Sequence, residues 1–473
     1  VFHGKSFQND YNEHQLAAVI VTAVFVAVSE CHNRFTPVTN PMCEPMNAPD
    51  AIFSRDKLIA SEADRMEEAV IAWRRDIHAN PELGNREFRT GALVAQHLRA
   101  LGFDEVTEKV AYTGVVGLLK GGKPGPCVAL RADMDGLPVV EENDLPFKST
   151  VRSEWNGVAC GVMHACGHDT HVAILMGVAE ILTGMREHLA GSVKFIFQPA
   201  EEMPPAGEEG GAALMIKEGC LENPKVDAIF GLHITSKLHA GQIGYRPGPF
   251  MASADTFQIF LRGNQTHGAQ PWSGVDPIVV GSQVVLGLQT IVSRKMNLTQ
   301  EPSVVTVGSF QAGNRSNIIP DEAKMEGTIR AFNESQRDDI HAFIEKITTL
   351  IAESGGAKAH VHINRGYPVT INDEALTAWS VPVMKRAVGD ANVNLTLKTC
   401  GAEDFSFFQQ KVPGLFFNIG CTPRDTDCKY APSNHSPRFY VDESGLKIGV
   451  KALTTLTLDW LDANANASIQ MSQ

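Results

Sequence analysis

The stretch His164–Ala165–Cys166–Gly167–His168–Asp169–Thr170–His171 puts three histidines, a cysteine and an aspartate within eight residues, with a glycine where the backbone must bend. A cysteine thiolate and a neutral imidazole are good ligands for a borderline ion such as zinc, so Cys166 and His168 are candidate metal ligands. The bland alternative is a histidine-capped helix with a small buried thiol. Further acids and imidazoles shift the balance. Glu201–Glu202 follows the apolar run Val193–Phe197, His233 follows Ala228–Leu232, and His435 stands in Asn434–His435–Ser436–Pro437. Two divalent ions sharing a water need several mixed ligands and one carboxylate left free. The ions acidify the water and polarise a scissile carbonyl, while the free carboxylate moves the proton to the leaving nitrogen. Cys166, His168, Glu202, His233 and His435 could supply the ligands, and Glu201 the base. On near-extended backbone two adjacent side chains diverge, so one glutamate can ligate while the other faces the water. A Glu–Glu pair is ordinarily solvated surface, but directly after Phe195–Ile196–Phe197–Gln198–Pro199 that reading weakens.

The elements that must position these groups alternate between strand and helix. Cys127–Leu130, Val193–Phe197 and Ala228–Leu232 are short, nearly continuous apolar runs. Between them Val172, Leu175, Met176, Ala179 and Leu182 predict a helix with one broad apolar face. Such strands form a mostly parallel sheet with helices on both faces, and ligands sit beyond its carboxyl strand ends. Asp135, Glu201–Glu202 and His233 all fall at such ends. Upstream, helices are expected from about Ser61 to Ala79, before Pro81, and from Glu87 to Leu101, before Gly102.

From about Met251 the pattern changes to strand–helix–strand–strand–helix–strand: Thr256–Leu261, Asp276–Arg294, Ser303–Phe310, Ala323–Phe332, Arg337–Ser354 and His360–Arg365. This is the order of a ferredoxin-like α+β unit, read as an insertion into the first domain. The chain returns near Asp373 with a helix, a strand at Leu415–Ile419 and a closing helix over about Glu443–Leu461. The expected division is therefore 1–57 signal segment and linker, 58–250 and 368–466 the two parts of a catalytic α/β domain, 251–367 the insertion, and 467–473 a tail.

At 473 residues the chain exceeds one compact core, as that division requires. A net charge of −13 with no Lys/Arg-rich run argues against a nucleic-acid partner. The longest apolar run, Leu16–Val28, is too short to span a bilayer and has the length of a signal-peptide core, with Ala27–Val28–Ser29 as a cleavage site. Export (periplasmic or secreted) is expected on that reading; a buried helix in a cytoplasmic protein is the alternative. Cys421 and Cys428 flank a six-residue loop and could close it in an oxidising compartment, or stay free thiols in a reducing one.

The strings RRDIHANPELGNRE, LRADMDGLPV, HACGHDTHVA, FQPAEE, GLHI, GAEDFSFF and NHSP, in that order over about residues 61–465, resemble those of the N-acyl-amino-acid amidohydrolases. These belong to the aminoacylase-type metallopeptidases, with hippurate hydrolase, plant indole-acetyl-amino-acid hydrolases and a carboxypeptidase branch among them. The resemblance implies a dinuclear catalytic domain and a smaller lid or dimerisation domain, a homodimer, and an N-acyl amino acid or short peptide as substrate. By motif, the ligands would be Cys166, His168, Glu202, His233 and His435, with Cys166 a candidate bridge and Glu201 the general base. Asp135 matches an aspartate that orients a ligand near the site; an Asx-turn before Gly136 is the alternative. Thr266–His267–Gly268–Ala269 resembles a loop whose histidine stabilises the oxyanion. Asn317 and Arg330 stand where the family gathers substrate-binding groups, and an arginine suits a free α-carboxylate. Where many members have Pro–His this chain has Pro271–Trp272, which bears on acyl preference and not on the reaction. Such a mixed ligand set accepts zinc, manganese, cobalt or nickel, two ions per chain.

Overall fold

The computed structural model describes residues 48–471. Its first helix, α1 (Ala48–Ala79), begins well before Ser61. The buried stripe Ala63, Met66, Val70 and Ile77 continues back to Ile59. One turn earlier, Arg55 pairs with Asp459 and Asp56 with Arg386. Residues 48–57, expected as linker, are thus helix; the run Leu16–Val28 and the rest of the expected linker lie outside the described residues.

Helix α2 (Phe88–Ala100) ends where Gly102, at φ +76°, turns the chain. An antiparallel pair follows, β1 (Glu105–Val110) and β2 (Gly114–Lys120), then β3 (Lys123–Asp133) and a small hairpin, β4 (Arg152–Trp155) with β5 (Val158–Gly161). Helix α3 (His168–Gly184) is buried on almost every side instead of along one face. After it come β6 (Ala190–Gln198), α4 (Gly211–Lys217), β7 (Ala228–His239), β8 (Ile243–Tyr245) and β9 (Gly248–Met251).

The next stretch comprises β10 (Ala254–Arg262), β11 (Thr266–His267), α5 (Pro277–Thr290), β12 (Ser303–Ala312), β13 (Ile318–Ile319), β14 (Glu322–Ala331), α6 (Glu334–Ser354) and β15 (Lys358–Tyr367). Asp276 and Asn333 cap the two helices with their side chains. Four of the strands form an antiparallel sheet in the order β12-β14-β10-β15, the ferredoxin-like arrangement, with its own core. The chain then completes the first layer with β16 (Thr370–Asn372), α7 (Glu374–Val388), β17 (Val393–Leu395), α8 (Phe405–Gln409), β18 (Gly414–Thr422) and α9 (Leu446–Met471). Helix α9 runs through the expected tail as far as Met471.

The large sheet has the order β1-β2-β6-β3-β7-β18-β8-β17. Its centre, β6, β3, β7 and β18, is parallel; β2 and β8 pair antiparallel on either flank. Strand β7 does not stop at His233. It continues to His239 because β18 goes on pairing with it after β3 has left at Arg131–Gly231. The sheet therefore opens beside His233, and the loops after β3 and β6 end there. Among the described residues no helix is long and apolar enough to cross a membrane. Cys421, Cys428, Cys160 and Cys166 are all free thiols.

Candidate metal centre and active site

Gly167 sets the entry to α3. Its φ is +91°, and a Cβ there would lie 2.3 Å from Ile234 Cγ2. Only glycine lets the backbone bend so that Cys166, ending a loop, and His168, opening the helix, face the same space. His168 Nδ1 lies 3.1 Å from Asp135 Oδ1, which leaves Nε2 pointing inward, buried and without a hydrogen-bond partner. His233 Nδ1 donates to the Ile234 carbonyl at 2.6 Å, so its Nε2 carries the lone pair, 3.3 Å from Cys166 Sγ. His435 Nε2 is 3.3 Å from the same sulfur and 2.9 Å from Glu202 Oε1. The His435 backbone sits at φ +71° and is held by its N–H on the Ala165 carbonyl and by Asn434 Nδ2 on the carbonyls of Cys166 and Ile234.

The ligand atoms form overlapping triads, each within 4.8 Å: Cys166, His168 and His233; Cys166, Glu202 and His435; His168, Glu201 and Glu202. The sulfur is common to the first two. Soft, borderline and hard donors converge on one pocket of lone pairs, a set that fits zinc-like divalent ions. Burial first, then the charges of Glu202 and Glu201, push the Cys166 thiol well above its ordinary value. A bound cation reverses that balance by taking the thiolate.

Glu201 lies deeper, its Oε2 3.8 Å from His168 Nε2. Burial, with the neighbouring acids Glu403 and Glu202, lifts its carboxyl well above the usual range. For Glu202 burial also pushes upward, but His435 and His168 outweigh it and the net shift is down. The two adjacent acids are thus driven apart, one toward holding a proton and one toward staying charged. Asp135 joins them: Oδ1 faces His168, and Oδ2 accepts the Glu202 N–H at 2.8 Å.

Several residues of this floor carried no assigned role in the sequence. Arg131, fully buried on β3, donates to Asp133 at 2.6 Å, Gln198 at 2.8 Å, and Glu403 and Asp404 at 2.9 Å each. His171, one helical turn after His168, has both nitrogens committed, Nδ1 to Asp133 at 2.5 Å and Nε2 to the Ile234 N–H at 2.8 Å. Although it lies near enough to Asp133 and His168 for a fourth triad, both its nitrogens are spent on hydrogen bonds, so it pins the site and is not a metal ligand. The helical spacing of the two histidines and the acid pair in Gly401–Ala402–Glu403–Asp404 were the available signals.

His267, Asn317 and Arg330 are not brought to this cluster. His267, on the β11–β13 ladder, and Asn317, just before β13, are both exposed, and the Gly268 N–H reaches the Asn317 carbonyl at 2.8 Å. His267 Nδ1 accepts from the Ala269 N–H at 3.0 Å. Arg330, half-buried on β14, turns its guanidinium to Thr328 Oγ1 and the Ile329 carbonyl.

The family model described as peptidase family M20/M25/M40 matches residues 129–459. The chain belongs to that family. Over 402 residues it is 41% identical to thermostable carboxypeptidase 2 of Saccharolobus solfataricus, covering 85% of this chain and 97% of that one. Over 406 residues it is 35% identical to N-acetyl-L-cysteine deacetylase of Bacillus subtilis, covering 85% and 91%. Among solved structures, a Bacillus subtilis protein described as a dinuclear metal-binding peptidase from the M20 family matches with a TM-score of 0.70 at 33% identity, covering 84% and 99%. This M20 chain is a metal-dependent hydrolase of amide bonds, and its cofactor is divalent metal.

Proposed function

We propose that this M20 hydrolase cleaves the amide of an N-acylated amino acid, using two divalent ions held by Cys166, His168, Glu202, His233 and His435, with Glu201 as general base. The observation that carries this reading is the sulfur common to two ligand triads, with one buried glutamate beside them and committed to neither. When bound, the ions acidify a water and polarise the substrate carbonyl. With the ions in place, Glu201 would take a proton from the attacking water and return it to the leaving nitrogen, since it lies beside the ligands with its Oε2 3.8 Å from His168 Nε2. Asp135 fixes His168 and the Glu202 backbone together. His267 donates to the oxyanion, and Asn317 with Arg330 takes the substrate carboxylate, once the ferredoxin-like layer, 251–367, closes as a lid over the catalytic domain of 58–250 and 368–466.

The B. subtilis relative named as an N-acetyl-L-cysteine deacetylase supports the N-acyl reading. A peptidase acting at a free carboxyl terminus is the second reading, favoured by the relative named as a carboxypeptidase. A panel of N-acetyl, N-benzoyl and indole-acetyl amino acids and dipeptides, each with one free carboxylate, decides between them. Faster turnover of the dipeptides would sink the first reading. The same proposal includes zinc, manganese, cobalt or nickel as the ions, two per chain, tested by elemental analysis of purified protein.

A homodimer built through the ferredoxin-like layer belongs to this proposal. Its support is apolar exposure on that layer, with Trp272 79%, Leu286 70% and Val279 54% accessible. Export through Leu16–Val28 is tested by sequencing the mature N-terminus: a start after Ser29 supports it, and retention of residue 16 onward in the cell interior overturns it.

A further inference from the structure

The segment carrying the two acids is bent against its own preference. Ala200 and Met203, flanking Glu201–Glu202, have φ of +51° and +81°, a region that residues with a Cβ avoid. Such a turn persists only where its surroundings over-determine it. Three hydrogen bonds do so. The Ala200 N–H donates to Glu87 Oε1 at 2.8 Å, the Glu202 N–H to Asp135 Oδ2 at 2.8 Å, and the Tyr367 hydroxyl to the Glu201 carbonyl at 2.6 Å.

The third of these comes from the other layer. Tyr367 is the last residue of β15 and pairs with Ala254 of β10. The residue before it is clamped by a buried charge cluster: the Gly366 N–H donates to Asp255 Oδ1 at 2.9 Å, and Arg337 Nη2 donates to the Gly366 carbonyl at 3.0 Å. Arg337 and His341, both on α6, bond Asp255 in turn. The Tyr367 ring packs edge-on against Phe407, centroids 6.0 Å apart. One phenol hydroxyl therefore joins a rigid corner of the ferredoxin-like layer to a main-chain atom of Glu201.

We propose that Tyr367 is a positioning residue: its hydrogen bond to the Glu201 carbonyl holds the turn that aims the Glu201 carboxylate, and makes that aim depend on the stance of the ferredoxin-like layer. This rests on reading Glu201 as the base. The hydroxyl is spent on main chain, so it makes no demand on substrate.

Tyr367→Phe keeps the ring and removes one bond. In the metal-loaded full chain, kcat on an N-acetyl amino acid falls about tenfold while KM stays within about twofold. Amide hydrogen exchange of a peptide spanning residues 199–205 quickens in both metal-loaded and metal-free protein, with exchange in β10 and β15 unchanged. Unaltered kcat, unaltered exchange, a rise in KM at constant kcat, loosening throughout β10–β15, or failure to fold each overturns the proposal. Glu201→Gln is assayed alongside. If it retains the parent rate, the base assignment falls; if it is inactive while Tyr367→Phe is indistinguishable from parent, this inference alone falls.

Discussion

Cys166 Sγ and His435 Nε2 stand 3.3 Å apart across 269 residues of sequence. His233 Nε2 lies at the same 3.3 Å from that sulfur. Replacing Cys166 by serine preserves size and removes the soft donor shared by two triads. Metal affinity is expected to fall by at least the ~100-fold that loss of even an outer partner brings. Chelator competition on purified protein reads this directly; an unchanged affinity would remove the sulfur from the site.

Glu201→Gln should retain metal and lose hydrolysis by about 10³-fold, the range of a removed general base. Amide and carboxylate are nearly isosteric, so melting temperature and metal content should match the parent. Turnover at the parent rate would place the proton transfer elsewhere.

Asp135 serves two candidate ligands at once, through His168 Nδ1 and the Glu202 N–H. Asp135→Ala is expected to weaken metal binding by about 10–100-fold and activity with it. Asp135→Asn, which keeps an oxygen for one partner only, should fall between. If the alanine variant binds metal like the parent, the aspartate is merely a turn former before Gly136.

Much of this site could be read before the fold was known, because cysteine, histidine and paired glutamates are rare company after apolar strands. Arg131 could not. A charged residue in Leu130–Arg131–Ala132–Asp133 looks like a solvent-facing strand position, and its partners Glu403 and Asp404 come from the far end of the chain. The pair β1–β2 was also missed. Gly114–Val115–Val116–Gly117–Leu118–Leu119 is buried on both faces, so no alternation marks it as a strand. His233 within β7 looks like a strand end, since its polar side chain faces the site instead of bulk solvent. The reach of His267, Asn317 and Arg330 depends on how two layers meet, which no local pattern encodes.

Removing Arg131 should be costly. Arg131→Met leaves Asp133, Glu403 and Asp404 buried without their cation, and such uncompensated charge typically costs about 3–5 kcal/mol. Denaturant unfolding of the metal-free variant measures it. A loss below about 1 kcal/mol would mean that the acids are already neutral without the arginine.

Glu87 gives the metal-free protein a pH dependence of definite sign. Burial, then the charge of Asp135, lifts its carboxyl from 4.5 to about 8. The folded state therefore keeps a proton that the unfolded chain releases, so this group's stabilising contribution is full below about pH 4.5 and is lost as pH rises toward 8. Glu87→Gln retains an acceptor for the Ala200 N–H and cannot ionise. Its melting temperature should equal the parent's near pH 4.5 and exceed it at pH 8; a parent-like decline across that interval would exclude Glu87 as the source.

Strand β18 occupies an interior slot of the large sheet, between β7 and β8, yet it follows every other strand of the described residues in sequence, and the loop bearing His435 comes after it. A nascent chain that has already made both glutamates and the cysteine still has a gap down the middle of its sheet. Hydrolytic competence is thereby expected to await the stretch from Gly414 to His435, and a product cut off before it should be inert as well as incomplete.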